Sequence, residues 1–381
     1  MILWAARKGA RGAVGSQRQR RLAPSVRSGR AVVVAVDTRY STEQLELRSA
    51  AVALLSDLGP RTVADLDDRH RRARLVAAVA DAGWLELRGP GDGDAPLASG
   101  VEVALVAREL GRAAADAPFL GPVLAADLAR QSGVELSGAL TSVVFETSLA
   151  DFAALPPAGS SQGIAVDCAD AERGLVLAED AESIGEFRIH ALSLGERSPA
   201  TDLTRSLASM HLLAAAADDP QGAPILEAGV AQTRALGLAI TVADLVGTME
   251  GVLDATCAYT KERQQYGVAI GSFQAVQHLL AEARVLVEGA TSVAQYAAWA
   301  VDATWTADAL QAGAVAKAYC ARAARIVCET AIQVHGGIGN TWECFVHVYL
   351  RRALLSSALF GNEGHHLRAL ARRRLGYDRG L

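Results

Sequence analysis

The chain has almost no lysine. Only Lys8, Lys261 and Lys317 occur in 381 residues, so 34 of the 37 basic residues are Arg. This is a compositional bias, and no chemistry follows from it. There is also no uninterrupted apolar run of the roughly 18 residues that a membrane-spanning helix needs, so no membrane span is expected. The five cysteines, Cys168, Cys257, Cys320, Cys328 and Cys344, form no Cys-x-x-Cys and no metal-ligand spacing. An odd, scattered set in a large chain reads as reduced core thiols of a cytoplasmic protein, not as disulfides, and no metal is expected. The net charge of −5 carries no sign of nucleic-acid binding.

The first 30 residues lack acid altogether and hold eight basic residues, from Arg7 to Arg30. An Arg-rich, Ser-containing, acid-free start fits a transit peptide. It equally fits a disordered or non-native extension, because the chain from Val36 onward already reads as a natural beginning. The extension is preferred, and residues 1–35 are set aside.

What remains falls into three stretches. Residues 36–133 carry apolar residues at three- and four-residue spacings, which predicts amphipathic helices. The first is opened by a cap-like Ser41-Thr42-Glu43-Gln44. Residues 134–204 change to short β-rich runs, "TSVVFET", "GIAVDC", "RGLVLAE" and "EFRIHALSL", which predicts a reduced β-domain. Residues 205–381 turn helical again from Leu207. Three Pro-free segments, 225–263, 305–334 and 343–375, exceed the usual helix length of about 11 residues. Val276, Leu279, Leu280, Ala283 and Val287 add an apolar stripe. Long antiparallel helices of this kind build a four-helix bundle.

Two motifs in the last stretch could carry chemistry. In "YTKERQQYGVAIGSFQAVQHLLAEAR", Arg263 ends one helix and Gln274 opens the next. A cation at a helix C-terminus is stabilising in itself; an Arg there also has the geometry and permanent charge to hold a phosphate. In "QVHGGIGNTWECFVHVYLRR", Gly336, Gly337 and Gly339 sit between two helices. Glycines let a backbone approach a ligand, and the helix beyond favours an anion. A helix–helix turn with a Gly cap explains the same residues. No strand precedes them and no Gly-Lys-Ser/Thr follows, which excludes a dinucleotide fingerprint and a P-loop.

Together, "RQQYG...FQAVQH" and, about 70 residues later, "QVHGGIGNTWE...YLRRA" resemble the C-terminal half of the acyl-CoA dehydrogenase family. The order of helices, β-domain and bundle is that family's architecture, and the likeness runs over about 40–375. It implies FAD, acyl-CoA thioesters, α,β-dehydrogenation and an electron-acceptor flavoprotein. By resemblance, Arg263, Gln274, Gln333, Gly336 and Gly337 are FAD-binding residues. They reach a flavin seated in the neighbouring subunit.

That chemistry needs a carboxylate to take the α-proton of the thioester. The family places its glutamate either 24 residues after the first glycine of the turn or about 26 residues before the Arg. In this chain those positions are Phe360 and Gly237, and neither accepts a proton. Glu363 and Asp244 lie nearby in sequence, but an exposed helix or loop carboxylate is the plainer identity of both. Residues 134–204 also lack the Thr-Glu-x-x-x-Gly-Ser-like and Trp-Ile-Thr/Ser-like segments that cover a flavin in the family. The catalytic residue is therefore unknown, and the resemblance points to the supporting, base-lacking subunit of a hetero-oligomer, as in actinobacterial steroid side-chain breakdown. A self-sufficient dehydrogenase with a displaced base and a non-catalytic assembly subunit are the alternatives, and a homo-oligomer is the alternative assembly. His335 is placed to hydrogen-bond near the flavin. His365 and His366 point apart on a helix and do not share a metal. Trp342 and Tyr349, seven apart on one helix face, read as packing.

Overall fold

The computed structural model describes residues 39–136, 140–169, 171–180, 183–198, 200–213 and 220–376. The basic N-terminal stretch, assigned above to an extension, lies outside them.

The N-terminal helices form where the spacing places them. Helix α1 (Thr42–Leu58) starts on a capping box in which Ser41 and Gln44 satisfy each other's backbone N–H groups. Helix α2 (Arg69–Asp81) is capped by Asp68, which accepts from the N–H groups of His70 and Arg71. Helices α3 (Gly100–Arg112) and α4 (Leu120–Ser132) follow, both largely buried.

Seven strands then make one sheet: β1 (Thr141–Glu146), β2 (Ser160–Val166), β3 (Arg173–Glu179), β4 (Glu186–Ser193), β5 (Arg197–Ser198), β6 (Leu207–Leu213) and β7 (Gln221–Leu226). Their spatial order is β5-β6-β2-β1-β3-β4-β7, with β1 parallel to β3 and the other pairs antiparallel. The first four strands cover the β-rich runs. The expectation of helix from Leu207 is corrected, because β6 and β7 complete the sheet. In β6, Ala208, Met210 and Leu212 are buried while Ser209 and His211 are exposed, a period of two that only a strand satisfies. Strand β7 holds Pro224 at the sheet edge, where its missing N–H costs least.

Helix α5 (Glu227–Glu262) is 36 residues long and spans about 54 Å at 1.5 Å per residue. By length and composition it could cross a membrane, but 94% of its most apolar window is buried inside the protein. It is therefore a core helix. A hairpin, β8 (Gln264–Gln265) with β9 (Val268–Ala269), turns the chain into α6 (Gln274–Ala303), and α7 (Thr306–His335) runs back. The third Pro-free segment is two helices, α8 (Val346–Ala358) and α9 (Glu363–Leu375). The break falls where Phe360 and Gly361 both adopt positive φ, +57° and +93°, before Asn362 caps α9. Val246, Met249, Val287, Cys320, Val327 and Tyr349 share the bundle core. All five cysteines are free, and burial pushes the Cys320 and Cys328 thiols far above their usual range. In the α6 stripe, Ala283 and Val287 are buried, but Leu279 is exposed and Val276 and Leu280 are half-buried. The first turns of α6 thus carry apolar surface out of the bundle.

Candidate functional site

The glycine turn begins as α7 ends. Gly336 has φ +66° and donates its N–H to the carbonyls of Ile332 and Gln333, the close of a helix that only a residue without Cβ makes cheaply. Gly339 has a second reason: a Cβ there would stand 2.8 Å from the Ile332 carbonyl oxygen. Gly337 has neither reason. Its φ is ordinary, and a Cβ would meet nothing within 4 Å. Nothing inside this subunit requires the side chain to be missing there.

Arg263 caps the C-terminus of α5, its N–H bonded to the Tyr259 carbonyl. The Ile270 N–H closes the hairpin onto the Arg263 carbonyl at 2.8 Å, so the hairpin delivers Gln274 at the first position of α6. One turn before Arg263, Tyr259 stacks on His335 with ring centroids 4.2 Å apart and an 18° tilt. That stack joins the Arg263 end of α5 to the glycine turn. It also defines the surroundings of His335. The ring is buried, its Nδ1 lies 2.8 Å from the Ala331 carbonyl oxygen, and burial lowers its basicity. It packs the turn from inside. Arg263, Gln274, Gln333, Gly336 and Gly337 are all exposed, and Arg263 makes no side-chain hydrogen bond or ion pair among the described residues. These residues form an exposed rim in which the Arg263 guanidinium is unpaired among the described residues.

The two family positions for the base meet in space. A Cβ built on Gly237 would lie 2.2 Å from Cζ of Phe360, so the Phe360 ring occupies the space beside α5 that a side chain at 237 would need. Phe360 is 2% exposed and packs edge-on to Phe145 at 5.0 Å and Phe152 at 5.4 Å. Its N–H bonds to the Leu149 carbonyl at 2.7 Å, which ties the strained turn to the loop after β1. Three phenyl rings thus fill the place to which the resemblance assigns a carboxylate.

The two nearby carboxylates differ, and Asp244 is not a free base. Asp244 is not an exposed helix residue: it is 2% exposed and accepts from Arg352 at 2.6 and 2.9 Å, from Ser356 at 2.7 Å, and pairs with Arg205 at 3.1 Å. Burial pushes its carboxyl up, but Arg352 and Arg205 outweigh that and hold it below the usual range. It pins α5 to α8 and to the chain before β6. Glu363 stands at the first position of α9, partly exposed, with Arg322 4.0 Å away.

Sequence reasoning passed over Lys317, although it is one of only three lysines. Lys317 is fully buried, and its Nζ donates to the carbonyls of Ser356 and Leu359, capping the end of α8 next to the phenyl cluster. Burial lowers its pKa to about 7. His366 accompanies it, with Nε2 2.9 Å from the Phe360 carbonyl oxygen. Trp342 and Tyr349 do not share a helix face. Trp342 precedes α8 and is 63% exposed, whereas Tyr349 is buried with its hydroxyl on the Arg112 carbonyl. Among the described residues no three His, Cys, Asp or Glu side chains gather as metal ligands.

Comparison with known proteins agrees with the fold. The C-terminal domain of acyl-CoA dehydrogenases matches residues 221–375. Acyl-CoA dehydrogenase IpdE2 of Mycolicibacterium smegmatis is 32% identical over 280 residues, covering 71% of this chain and 77% of that protein. Acyl-CoA dehydrogenase FadE34 of Mycobacterium tuberculosis is 39% identical over 188 residues, 47% of this chain and 25% of that protein. Among solved structures, a variant of the Tcur3481-Tcur3483 steroid ACAD superposes with a TM-score of 0.72 at 23% identity, covering 86% of this chain and 96% of that one. The ChsE4-ChsE5 complex from Mycobacterium tuberculosis gives 0.69 at 21%, covering 89% and 99%. The chain belongs to the acyl-CoA dehydrogenase family, oxidoreductases that act on CH–CH groups.

Proposed function

We propose that this chain is the base-lacking subunit of a hetero-oligomeric, FAD-dependent acyl-CoA dehydrogenase. One observation carries this reading: both family positions for the base converge on one spot, and this chain fills that spot with Phe360 against Gly237. The partner, a second member of the family, supplies the glutamate.

The outward rim fits the ADP and phosphate side of a flavin held by such a partner. Arg263, paired with no acid among the described residues, would offset phosphate charge. Gly337 would allow close backbone approach, and Gln274 and Gln333 would add amide contacts. Bound FAD supplies the electron acceptor for α,β-dehydrogenation of an acyl-CoA thioester, with an electron-transferring flavoprotein downstream. The names of similar proteins support both the pairing and the substrate class: one neighbour is a two-component complex and another a steroid ACAD. The five free thiols support a cytoplasmic setting.

The self-sufficient alternative now rests on Glu363 alone, since Asp244 is committed to Arg352 and Arg205. Expression of the chain with and without a glutamate-bearing family member tests the reading. We expect a colourless, inactive protein alone and a yellow, active complex together. A yellow, active homo-oligomer would refute the subunit assignment.

A further inference from the structure

Helix α9 lies on the outside of the bundle. Of its 13 residues only His366 is buried, with Glu363, Gly364 and Leu370 half-buried. The helix is tied down along that one side. His366 Nε2 lies 2.9 Å from the Phe360 carbonyl oxygen. Arg373 donates to the Ala307 carbonyl at 3.1 Å and stands 3.7 Å from Asp308 near the start of α7. The opposite side is open. Leu367 and Leu375 are 51% and 69% exposed, and exposed Ala371 stands midway between them. Four-residue steps put these three in one stripe along the helix. Arg374 flanks the stripe on one edge, and Arg368 and Arg372 flank it on the other. These three arginines are exposed and pair with no carboxylate among the described residues.

The composition of this face decides what fits it. The centre of a protein–protein interface is depleted of charge. Here three unpaired cations crowd an apolar stripe one side chain wide. A helix with a basic polar face and few large apolar residues lies in the headgroup plane of a bilayer. Its apolar stripe meets the acyl boundary, and its long cationic side chains reach back to the phosphates. At 13 residues α9 is too short to cross, which takes about 20.

We propose that the outward face of α9 binds an anionic phospholipid surface, with Leu367 and Leu375 at the acyl boundary and Arg368, Arg372 and Arg374 on lipid phosphates. Arg presents paired N–H donors that match phosphate geometry, and it keeps its charge at any physiological pH. Each Arg near such a surface strengthens association roughly fivefold. The contact is peripheral and reversible. It rests on α9 alone and stands apart from the subunit assignment.

Co-sedimentation of the full chain with vesicles tests it, phosphatidylglycerol against phosphatidylcholine. The chain is expected to pellet with the first and not the second, and to pellet less as salt screens the charges. The basic first 30 residues attract anionic vesicles too, so variants made in the full chain carry the test. Arg368→Gln, Arg372→Gln and Arg374→Gln together are expected to weaken binding at least about tenfold. Leu367→Gln with Leu375→Gln is expected to weaken it severalfold. All five positions are exposed, so denaturant midpoints are expected to stay unchanged. No pelleting with phosphatidylglycerol, equal pelleting with both lipids, or undiminished binding in both variants would overturn the proposal. So would variants that keep vesicle binding but lose oligomeric size in gel filtration, because a second copy of the chain would then cover α9.

Discussion

The outward rim and the phenyl cluster are built on opposite principles. The rim keeps its side chains exposed: Arg263 pairs with no acid among the described residues, and Gly337 has open space where a side chain would fit. The cluster does the reverse. Phe145, Phe152 and Phe360 bury one another, and Gly237 is small because a ring already fills its side-chain space. In one region rings fill one another's space; in the other, an exposed Arg side chain and an open glycine face outward. A subunit that gives up its own chemical centre while retaining contacts for a neighbour's is expected to differ in this way.

The largest expected effect lies beneath the cluster. Asp244→Ala leaves Arg352 and Arg205 buried without their shared carboxylate and should cost about 3–5 kcal/mol in denaturant unfolding. Next is the cluster itself. Phe360→Ala should cost about 3–5 kcal/mol by opening a cavity. Phe360→Glu places the missing carboxylate among phenyl rings, and Gly237→Glu drives one into Phe360. Neither is expected to give the lone chain dehydrogenase activity, and both should lower its stability. Turnover in either variant would show that the cluster does not close this chain's own centre.

The sequence made the rim legible because its residues form local motifs: a helix end, a helix start and a glycine turn. The base positions could be counted, but their meeting could not. Gly237 and Phe360 are 123 positions apart, and only the return of the chain from α8 past β1 brings them together. Strands β6 and β7 were hidden by the apolar content of 207–226, which resembles helix in composition; the period of two in Ala208, Met210 and Leu212 was the available signal. Asp244 read as exposed because its partners, Arg205 and Arg352, lie 39 and 108 residues away.

Smaller effects separate the glycines. Gly336→Ala should destabilise by about 1 kcal/mol, because Ala resists the positive φ. Gly337→Ala should leave unfolding of the lone chain within about 0.5 kcal/mol, yet weaken flavin retention in the complex. Equal effects of both on the lone chain would erase the distinction between a turn glycine and an interface glycine.

Acid should act on the interior. Burial pushes the His366 pKa down to about 4 from an ordinary 6.5. The unfolded chain therefore binds a proton that the folded chain refuses between these values. Stability should fall as pH drops from about 6.5 to about 4, by up to about 3 kcal/mol, and be unaffected by this residue above that window. Denaturant midpoints across that range should flatten in His366→Phe. An unchanged slope would show that the imidazole is not the proton acceptor.

The central claim is tested most directly by counting flavin. In a purified complex of this chain with a glutamate-bearing partner, absorbance and protein mass should give one FAD per pair of subunits. Arg263→Ala in this chain alone should lower flavin affinity by at least about tenfold, as expected for one charge-assisted contact. One FAD in every subunit, or full flavin retention without Arg263, would contradict the account.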